Sequence, residues 1–411
     1  MYVKPRSQER GFFIYGSIIF MSKPRRIVDI VAIYLYFATM RKITTMLCCL
    51  FLVAIGCKEE EDIVQEPVLI NTIPAFYLPA EESDYGKAEP VMTLMLDQQD
   101  KVAEPWDLDF HPTRARELWI LNKGTERTGG NTLTVSRVGL PDQSIDVRTD
   151  GNAWHFMALP SAMAFSRENG NWATTAEIVD ANRRGGTFTG PSLWSSDMNI
   201  YARPSGGNGS HLDMLHGSPL CMGIAADRDN AFWVFDGYNR HICWYDFNKD
   251  HGPGNDDHSD AEIHRYTEVS VRMKPGVASH MILDKLTGWL YIVDTGNKRI
   301  LKMNTNSGKY QRSLPLINEP LAAHYEMGEV EWKVFAQTDL QEPAGIEFNN
   351  GVLYVSDHAT GEIIAYDTET SYELGRFDTG MPGIMGIKID DERKLWFVNT
   401  DRNEVYRIDP Q

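Results

Sequence analysis

One repeated phrase within residues 105–399 constrains the fold more than any other feature of this sequence. Each copy has a short apolar segment, a polar turn, a second segment in which Leu, Trp, Tyr and Val alternate, and a closing Asp or Asn. Period-2 alternation between regularly spaced turns indicates antiparallel β-strands. The clearest copies are Gly223–Asp236, Met281–Asp294, Gly345–Asp357 and Gly386–Asn399.

A third apolar segment follows the closing residue of each clear copy, for example Arg299–Met303 after Asp294. A single sheet of this kind cannot bury both of its faces, whereas several sheets packed radially around an axis can. Copies begin near residues 105, 222, 280, 344 and 385, and a divergent one begins at Leu159. The sequence therefore predicts an all-β fold over residues 99–411, a six-bladed β-propeller of four-stranded antiparallel blades.

The repeat resembles the NHL repeat, and the segment DTGNKRI at Asp294–Ile300 is its nearest match. This resemblance covers most of residues 100–411. It is specific for the propeller fold and leaves the function open, because one fold carries many functions.

The N-terminal region indicates export. In residues 40–57 the basic pair Arg41 and Lys42 precedes the apolar run Met46–Ile55, which is too short to span a bilayer as a helix. The ending VAIGC resembles a bacterial lipobox, which implies that Cys57 is lipidated and becomes the first residue of the mature chain.

Two further segments flank this signal. Residues 1–39 are interpreted as an over-extended start, and residues 58–98 as an acidic tether that ends in an outer strand. The lipobox resemblance implies an outer-membrane lipoprotein of the cell envelope. The acidic run at 59–62 resembles surface-export signals of Bacteroidetes lipoproteins, and a solvated tether stays open as its alternative. Such a protein contacts the membrane through its lipid anchor only.

Charge excludes one class of partner. The chain carries 40 Lys and Arg against 57 Asp and Glu, for a formal net charge of −17. A surface of this sign repels nucleic acid. We expect a monomer that binds a protein, a peptide or a glycan, and no nucleic acid.

Histidines are predicted near one end of the propeller channel. In such blades the inner strand begins at the rim on which the turn between the second and third strands also lies. Imidazoles from different blades converging there would suit zinc, and nearby methionines would favour copper. The candidate metal ligands are His155, His211, His216, His280 and His358.

Two enzyme families have comparable propellers. The chain is distantly similar to peptidylglycine amidating lyase, whose three-histidine zinc site lies on the channel axis, and His216, His280 and His358 are the best-matched positions. It also resembles gluconolactonase-like propellers, which bind calcium through central acids, with Glu104 and Glu342 as the comparable residues.

An acidic loop between the third and fourth copies is a second candidate site. Oxygen-bearing residues at alternating positions, with an acid at the twelfth, resemble a calcium-binding loop. The candidate ligands are Asp246, Asn248, Asp250 and Asp257. Flanking helices and the usual glycine are lacking, so a solvated acidic hairpin stays open as the alternative.

The sequence favours a binding module at the cell surface or in the periplasm, because no nucleophile–base pair or nucleotide loop is visible. The alternative is a metal-dependent lyase or hydrolase, using zinc or copper in the channel mouth. A calcium-dependent, lactonase-like hydrolase is a further alternative.

Overall fold

The strands that the repeat predicts are present in the computed structural model of the protein, which describes residues 90–203, 207–255, 257–316 and 319–409. They form six antiparallel blades arranged as a β-propeller, so the predicted fold class is confirmed. The predicted segments 1–39 and 40–57, with Cys57, lie outside the described residues. Within the described ranges, no helix is both long and apolar enough to cross a membrane.

Strand β1 (Val91–Leu96) precedes the first blade. Blades one and two follow, separated by the short helix α1 (Ala153–Phe156). Their strands are β2 (Pro105–Phe110), β3 (Glu117–Thr125), β4 (Gly129–Ser136), β5 (Ser144–Arg148), β6 (Pro160–Phe165), β7 (Trp172–Ala176), β8 (Ser192–Trp194) and β9 (Asp213–Met214).

Blades three and four contain a short 3-10 helix each, at His258–Asp260 and Thr295–Asn297. Their strands are β10 (Cys221–Ala226), β11 (Ala231–Asp236), β12 (His241–Asp246), β13 (Glu262–Tyr266), β14 (Met281–Asp284), β15 (Trp289–Asp294), β16 (Arg299–Asn304), β17 (Lys309–Ser313), β18 (Ala323–Gly328) and β19 (Trp332–Ala336). The strands of blades five and six are β20 (Pro343–Asn349), β21 (Val352–Asp357), β22 (Glu362–Asp367), β23 (Glu373–Asp378), β24 (Ile384–Ile389), β25 (Leu395–Asn399) and β26 (Glu404–Asp409).

Strands from both ends of the described chain close the ring. Blade six has the order β1-β26-β25-β24, and β1 pairs antiparallel with β26 from Val91 opposite Asp409 to Leu96 opposite Val405. Strand β1 thus supplies the outer strand expected within residues 58–98. Closure covers what would otherwise be an unpaired edge of β26.

Blade three is larger than the sequence predicts. Between β16 and β19 the chain leaves blade four and forms the hairpin β17–β18, which extends blade three to six strands. Strand β18 pairs in parallel with β13, from Glu262 opposite Ala323 to Arg265 opposite Glu326. Just before β18, the N–H of Ala322 donates to the Ala261 oxygen at 2.9 Å, so this described end of the connection lies against blade three.

The Asp or Asn that closes each repeat has a structural role. These side chains are at most 1% exposed, and they are Asn122, Asp236, Asp294, Asp357 and Asn399. Asp357 accepts hydrogen bonds from the backbone N–H groups of Gln341 (2.6 Å), Glu342 (3.1 Å) and Ala359 (3.1 Å). It thereby fastens the turn after the second strand to the segment that enters the inner strand.

The repeat's glycine allows neighbouring inner strands to approach closely. A Cβ placed on Gly223 would lie 1.9 Å from the backbone oxygen of Ser279, in the segment leading into blade four. At the same place the N–H of Ser279 donates to the Met222 oxygen at 2.9 Å. Only a residue without a side chain fits this contact.

Candidate functional site

A cavity of about 530 Å³ lies at the end of the channel where the inner strands finish. All six inner strands, or the turns after them, line it. The sequence predicts the mouth at the opposite end, where the inner strands begin. There, however, Trp106, Met222 and Met385 are each at most 1% exposed and belong to one apolar cluster.

Three charged side chains occupy one register position around this cavity. Asp109, Glu347 and Lys388 take the same place in their repeats. Each lies on the inner strand, opposite a residue of the second strand. That opposite residue comes three places before the Asn or Asp that closes the repeat. Their strands are β2, β20 and β24, so the three side chains come from blades one, five and six.

Lys388 links the two carboxylates. Its Nζ lies 3.2 Å from Glu347 Oε2 and 4.0 Å from Asp109 Oδ1, and the Lys388 and Asp109 side chains are each 17% exposed. Burial alone would lower the pKa of Lys388, but Asp109 and Glu347 outweigh it and raise that pKa above its ordinary value. Burial also raises the pKa of Glu347, and Lys388 offsets part of that rise. The cavity thus holds a partly buried ammonium between two acids.

His111 lines the same cavity and is 7% exposed. Its Nδ1 accepts hydrogen bonds from the N–H groups of Thr113 (3.2 Å) and Arg114 (3.1 Å), and its Nε2 lies 3.0 Å from Ser196 Oγ. Burial, together with the nearby Arg114 guanidinium, lowers the pKa of His111 from 6.5 to about 4. The imidazole is therefore neutral at physiological pH.

We expect His111 to make the propeller acid-sensitive. Its pKa is lower in the folded chain than the ordinary 6.5, so the unfolded chain binds the proton more tightly. Stability is full above pH 6.5 and falls as the pH drops from 6.5 towards 4. Between pH 7 and pH 4.5 we expect a loss of about 1–2 kcal/mol, because solvent near the ring screens part of the shift. Urea unfolding at both pH values should show a smaller loss for His111→Asn, which retains an acceptor; an equal loss in both proteins would contradict this role.

The structure places His280 inside the channel, where it joins blades. It is 5% exposed, its Nε2 lies 3.0 Å from the Ser161 oxygen, and its Nδ1 lies 3.5 Å from Asp107 Oδ1. Burial raises the pKa of Asp107, and His280 and Lys388 offset part of that rise. His280 therefore connects blade four to blades one and two.

The other predicted channel histidines lie in separate surroundings. His211 is fully buried and stacks on Phe156, with ring centroids 3.5 Å apart. His155 Nδ1 lies 3.2 Å from the Ala181 oxygen. The backbone of His358 donates to the Glu342 oxygen at 2.8 Å, and its side chain is half-buried. Among the described residues, His216, His280 and His358 do not form one compact set of potential ligands.

His216 instead lies beside residues that the sequence did not indicate. We name Asp213, His216, His258 and Glu319 the His216 cluster. Glu319 Oε2 contacts the Nδ1 atoms of both His216 and His258, the latter at 2.6 Å. His258 Nε2 lies 3.1 Å from Asp213 Oδ1.

The carboxylates and imidazoles of the His216 cluster shift one another's pKa values. Burial alone would lower the pKa of His258, but Asp213 and Glu319 outweigh it and raise that pKa to about 10. Burial alone would raise the pKa of Glu319, but hydrogen bonds from His216 and His258 outweigh it and lower that pKa to about 2. The buried carboxylates of Asp213 and Glu319 therefore favour the positively charged form of His258.

The predicted calcium ligands are each engaged in their own turns. Asp246 Oδ1 accepts from the Asn248 N–H at 2.8 Å, and Asp250 Oδ1 accepts from the Gly252 N–H at 2.7 Å. Asp257 accepts from both the N–H and the hydroxyl of Ser259. In the described part of the loop, these carboxylates do not gather into a compact group of three.

A second compact group, Asp236, His241 and Cys243, is already filled by a cation. The Nη1 of Arg265 lies 3.1 Å from Asp236 Oδ2, 3.2 Å from His241 Nε2 and 3.5 Å from Cys243 Sγ. Cys243 and Cys221 are free, buried thiols, and burial raises the pKa of Cys243 to about 12. A guanidinium in contact with all three groups opposes the binding of a metal ion there.

The sequence contains a recognisable pattern for some of the site residues that it did not lead us to select, and none for the others. Asp109, Glu347 and Lys388 are charged residues inside apolar strand segments, and that pattern could have indicated a polar channel. His258 and Glu319 had no such signal, because they lie in connections far apart in the chain.

No protein-family model and no curated protein matches this chain. Among solved structures, it is similar to an auxiliary nutrient binding protein from Bacteroides ovatus, with 12% identity, a TM-score of 0.51, and coverage of 78% of this chain and 77% of that one. For an auxiliary nutrient binding protein from Bacteroides thetaiotaomicron the values are 11%, 0.50, 79% and 79%. A luciferin-regenerating enzyme gives 11%, 0.49, 78% and 95%.

At such low identity these similarities show the fold alone. The two nutrient binding proteins are consistent with the six-bladed propeller in the structure and with the NHL-like repeat in the sequence. The chain is therefore a six-bladed β-propeller with a polar, charged cavity at one end of its channel.

Proposed function

We propose that this chain is a lipid-anchored binding propeller of the cell envelope whose channel cavity takes a small polar organic molecule, of the size of a sugar or an amino acid. The observation that carries the proposal is the cavity of about 530 Å³ with Lys388 between Glu347 and Asp109. Pockets for small ligands have volumes of roughly 300–1,000 Å³ and a few convergent polar groups.

The chemistry of the lining supports a ligand with both donors and acceptors. An ammonium has three N–H donors, and the two acids near Lys388 lie 3.2 and 4.0 Å away, which leaves capacity for a ligand oxygen. Glu347 and Asp109 can accept from ligand hydroxyl or amino groups.

The fold neighbours are compatible with this role. Two of the similar structures are of auxiliary nutrient binding proteins, and a polar channel ligand fits that description. The lipobox at Cys57 supports anchoring at the envelope, where a binding propeller would capture molecules from outside the cell. A protein, peptide or glycan partner held by the outer loops is the competing outcome.

The enzyme alternatives have less support in the channel. A zinc or copper lyase or hydrolase would need several ligands around the cavity, and no compact group of three lines it among the described residues. A calcium-dependent lactonase would need free central acids. Lys388 occupies the position between Asp109 and Glu347, and Glu342 pairs with Lys274.

A ligand screen tests the proposal. We expect a panel of sugars, amino acids and small carboxylic acids to contain at least one compound that raises the melting temperature and binds by calorimetry. Lys388→Gln should weaken that binding about tenfold or more, equivalent to roughly 1.4 kcal/mol. Lys333→Gln, which removes an exposed lysine outside the cavity, is the matched control.

Two results would contradict the proposal. One is equal affinity in the wild-type protein and in Lys388→Gln. The other is a panel without any ligand, together with binding of a protein or an extended glycan that Lys388→Gln leaves unchanged.

A further inference from the structure

The His216 cluster gathers potential metal ligands from three separate segments. Asp213 lies in β9 and His216 follows it, His258 lies in the 3-10 helix before β13, and Glu319 lies in the connection between β17 and β18. The side chains are buried, with exposures of 0% for Asp213, 4% for His216, 14% for His258 and 5% for Glu319.

The donor set matches a divalent transition metal. Once the metal has displaced the proton that His258 carries, the two imidazoles, Glu319 and the adjacent Asp213 together have a formal charge of −2, which one divalent ion balances. Zinc accepts imidazole nitrogen and carboxylate oxygen in tetrahedral sites. Around zinc, with bonds of roughly 2.0–2.2 Å, the ligand atoms stand about 3.3 Å apart. The 2.6 Å separation of His258 Nδ1 from Glu319 Oε2 needs to change by less than an ångström.

Asp213 supports the site from outside the ligand set. Its Oδ1 lies 3.1 Å from His258 Nε2, whereas the other ring nitrogen, Nδ1, contacts Glu319. A metal-bound imidazole commonly donates its second N–H to a carboxylate, which orients the ring.

The surroundings hold the ligands in place and leave the cation position to a metal. The Phe188 ring packs on His216 with centroids 3.5 Å apart, and the His216 N–H donates to Glu319 Oε1 at 3.1 Å. Throughout the described residues, no lysine or arginine forms an ion pair with Asp213 or Glu319. The group around Asp236 differs in this respect, because Arg265 is inserted into it.

We propose that His216, His258 and Glu319 bind one divalent transition-metal ion, with zinc the best match, and that Asp213 orients the His258 ring from outside the coordination shell. The ion ties the β17–β18 connection to blade three. None of the four residues lines the channel cavity, so this site is separate from the proposed ligand site. The role is structural, because the four side chains are buried and the set leaves little access for a substrate.

Metal binding can be measured directly. Tag-free protein is stripped with a chelator, and zinc is titrated by calorimetry with a melting curve at each end point. We expect one zinc per chain and a higher melting temperature with zinc. His258→Ala and Glu319→Gln should each weaken binding about 100-fold or more. Cobalt, substituted for zinc, should give a visible absorption band that both variants lose.

The controls separate this site from the others. His280→Ala in the channel and Cys243→Ser in the Arg265 group should bind zinc as the wild-type protein does. Lys388→Gln should also keep zinc binding, so failure of the ligand proposal leaves this test intact. Glu319→Gln preserves side-chain volume, and its melting temperature without metal should stay near that of the stripped wild-type protein.

The proposal is overturned by any of three results. These are no zinc binding by the wild-type protein at micromolar concentration, unchanged affinity in both His258→Ala and Glu319→Gln, and loss of binding in Cys243→Ser with retention in His258→Ala.

Discussion

Replacing Arg265 by Met is expected to lower the free energy of unfolding by about 3–5 kcal/mol, because a buried carboxylate loses its cation. The Arg265 side chain is 7% exposed and Asp236 is 0% exposed. The guanidinium donates to Asp236 Oδ2 at 3.1 Å, to the Gly217 oxygen at 2.6 Å and to His324 Nε2 at 2.8 Å. Methionine fills much of the volume but satisfies none of these acceptors.

Arg312→Met is the matched control for this change. Its side chain is 69% exposed and pairs with Glu326 at the surface. Exposed ion pairs contribute about 0–1 kcal/mol, so urea unfolding of this variant should resemble that of the wild-type protein. Equal destabilisation by the two substitutions would contradict the role assigned to the Arg265 group.

Gly223→Ala is expected to destabilise the propeller by about 3 kcal/mol, at the upper end of overpacking effects. The added Cβ would lie 1.9 Å from the Ser279 oxygen and 3.1 Å from the His280 Cα. Both contacts are backbone atoms, so relief requires the inner strands of blades three and four to separate. That movement also breaks the hydrogen bond from Ser279 to Met222.

Gly151→Ala provides the comparison, because a Cβ there meets no atom within 4 Å. Its unfolding midpoint should stay close to that of the wild-type protein, whereas Gly223→Ala should unfold at clearly lower denaturant. If Gly223→Ala were as stable as Gly151→Ala, the close contact between inner strands would not be a feature of the folded protein.

The fold could be predicted from the sequence because each blade is a local unit. Copies such as Gly386–Asn399 carry the strand pattern, the turn and the closing residue within one short segment. The predicted starts near 222, 280, 344 and 385 each fall within one residue of the inner strands β10, β14, β20 and β24. The alternation of apolar and polar residues within each strand, together with the turn residues beside it, determines where these strands begin.

Long-range pairing could not be predicted in the same way. Strand β17, Lys309–Ser313, is exposed along its length and lacks apolar alternation, so the hairpin on blade three had no local signal. The same hairpin delivers Glu319 to His216 and His258. The sequence analysis included His216 among its candidate metal ligands, which stays a prediction, and the residues beside His216 depend on this pairing.

Which end of the channel holds the cavity depends on side-chain packing, so the repeat pattern did not predict it. At the predicted rim, Met222 and Met385 are buried in one apolar cluster. At the other end, the charged position of Asp109, Glu347 and Lys388 keeps the channel polar. Side-chain size and charge along the inner strands thus decide which end is closed, and strand periodicity alone does not record this.

The central claim is that a small polar ligand binds in the channel cavity, and a crystal structure of the complex tests it most directly. Crystals of the wild-type protein are soaked with the tightest compound from the screen. We predict density for the compound within hydrogen-bond distance of Lys388 Nζ and one of its two acids. Density only at the outer loops, or at the end of the channel where the inner strands begin, would contradict the claim.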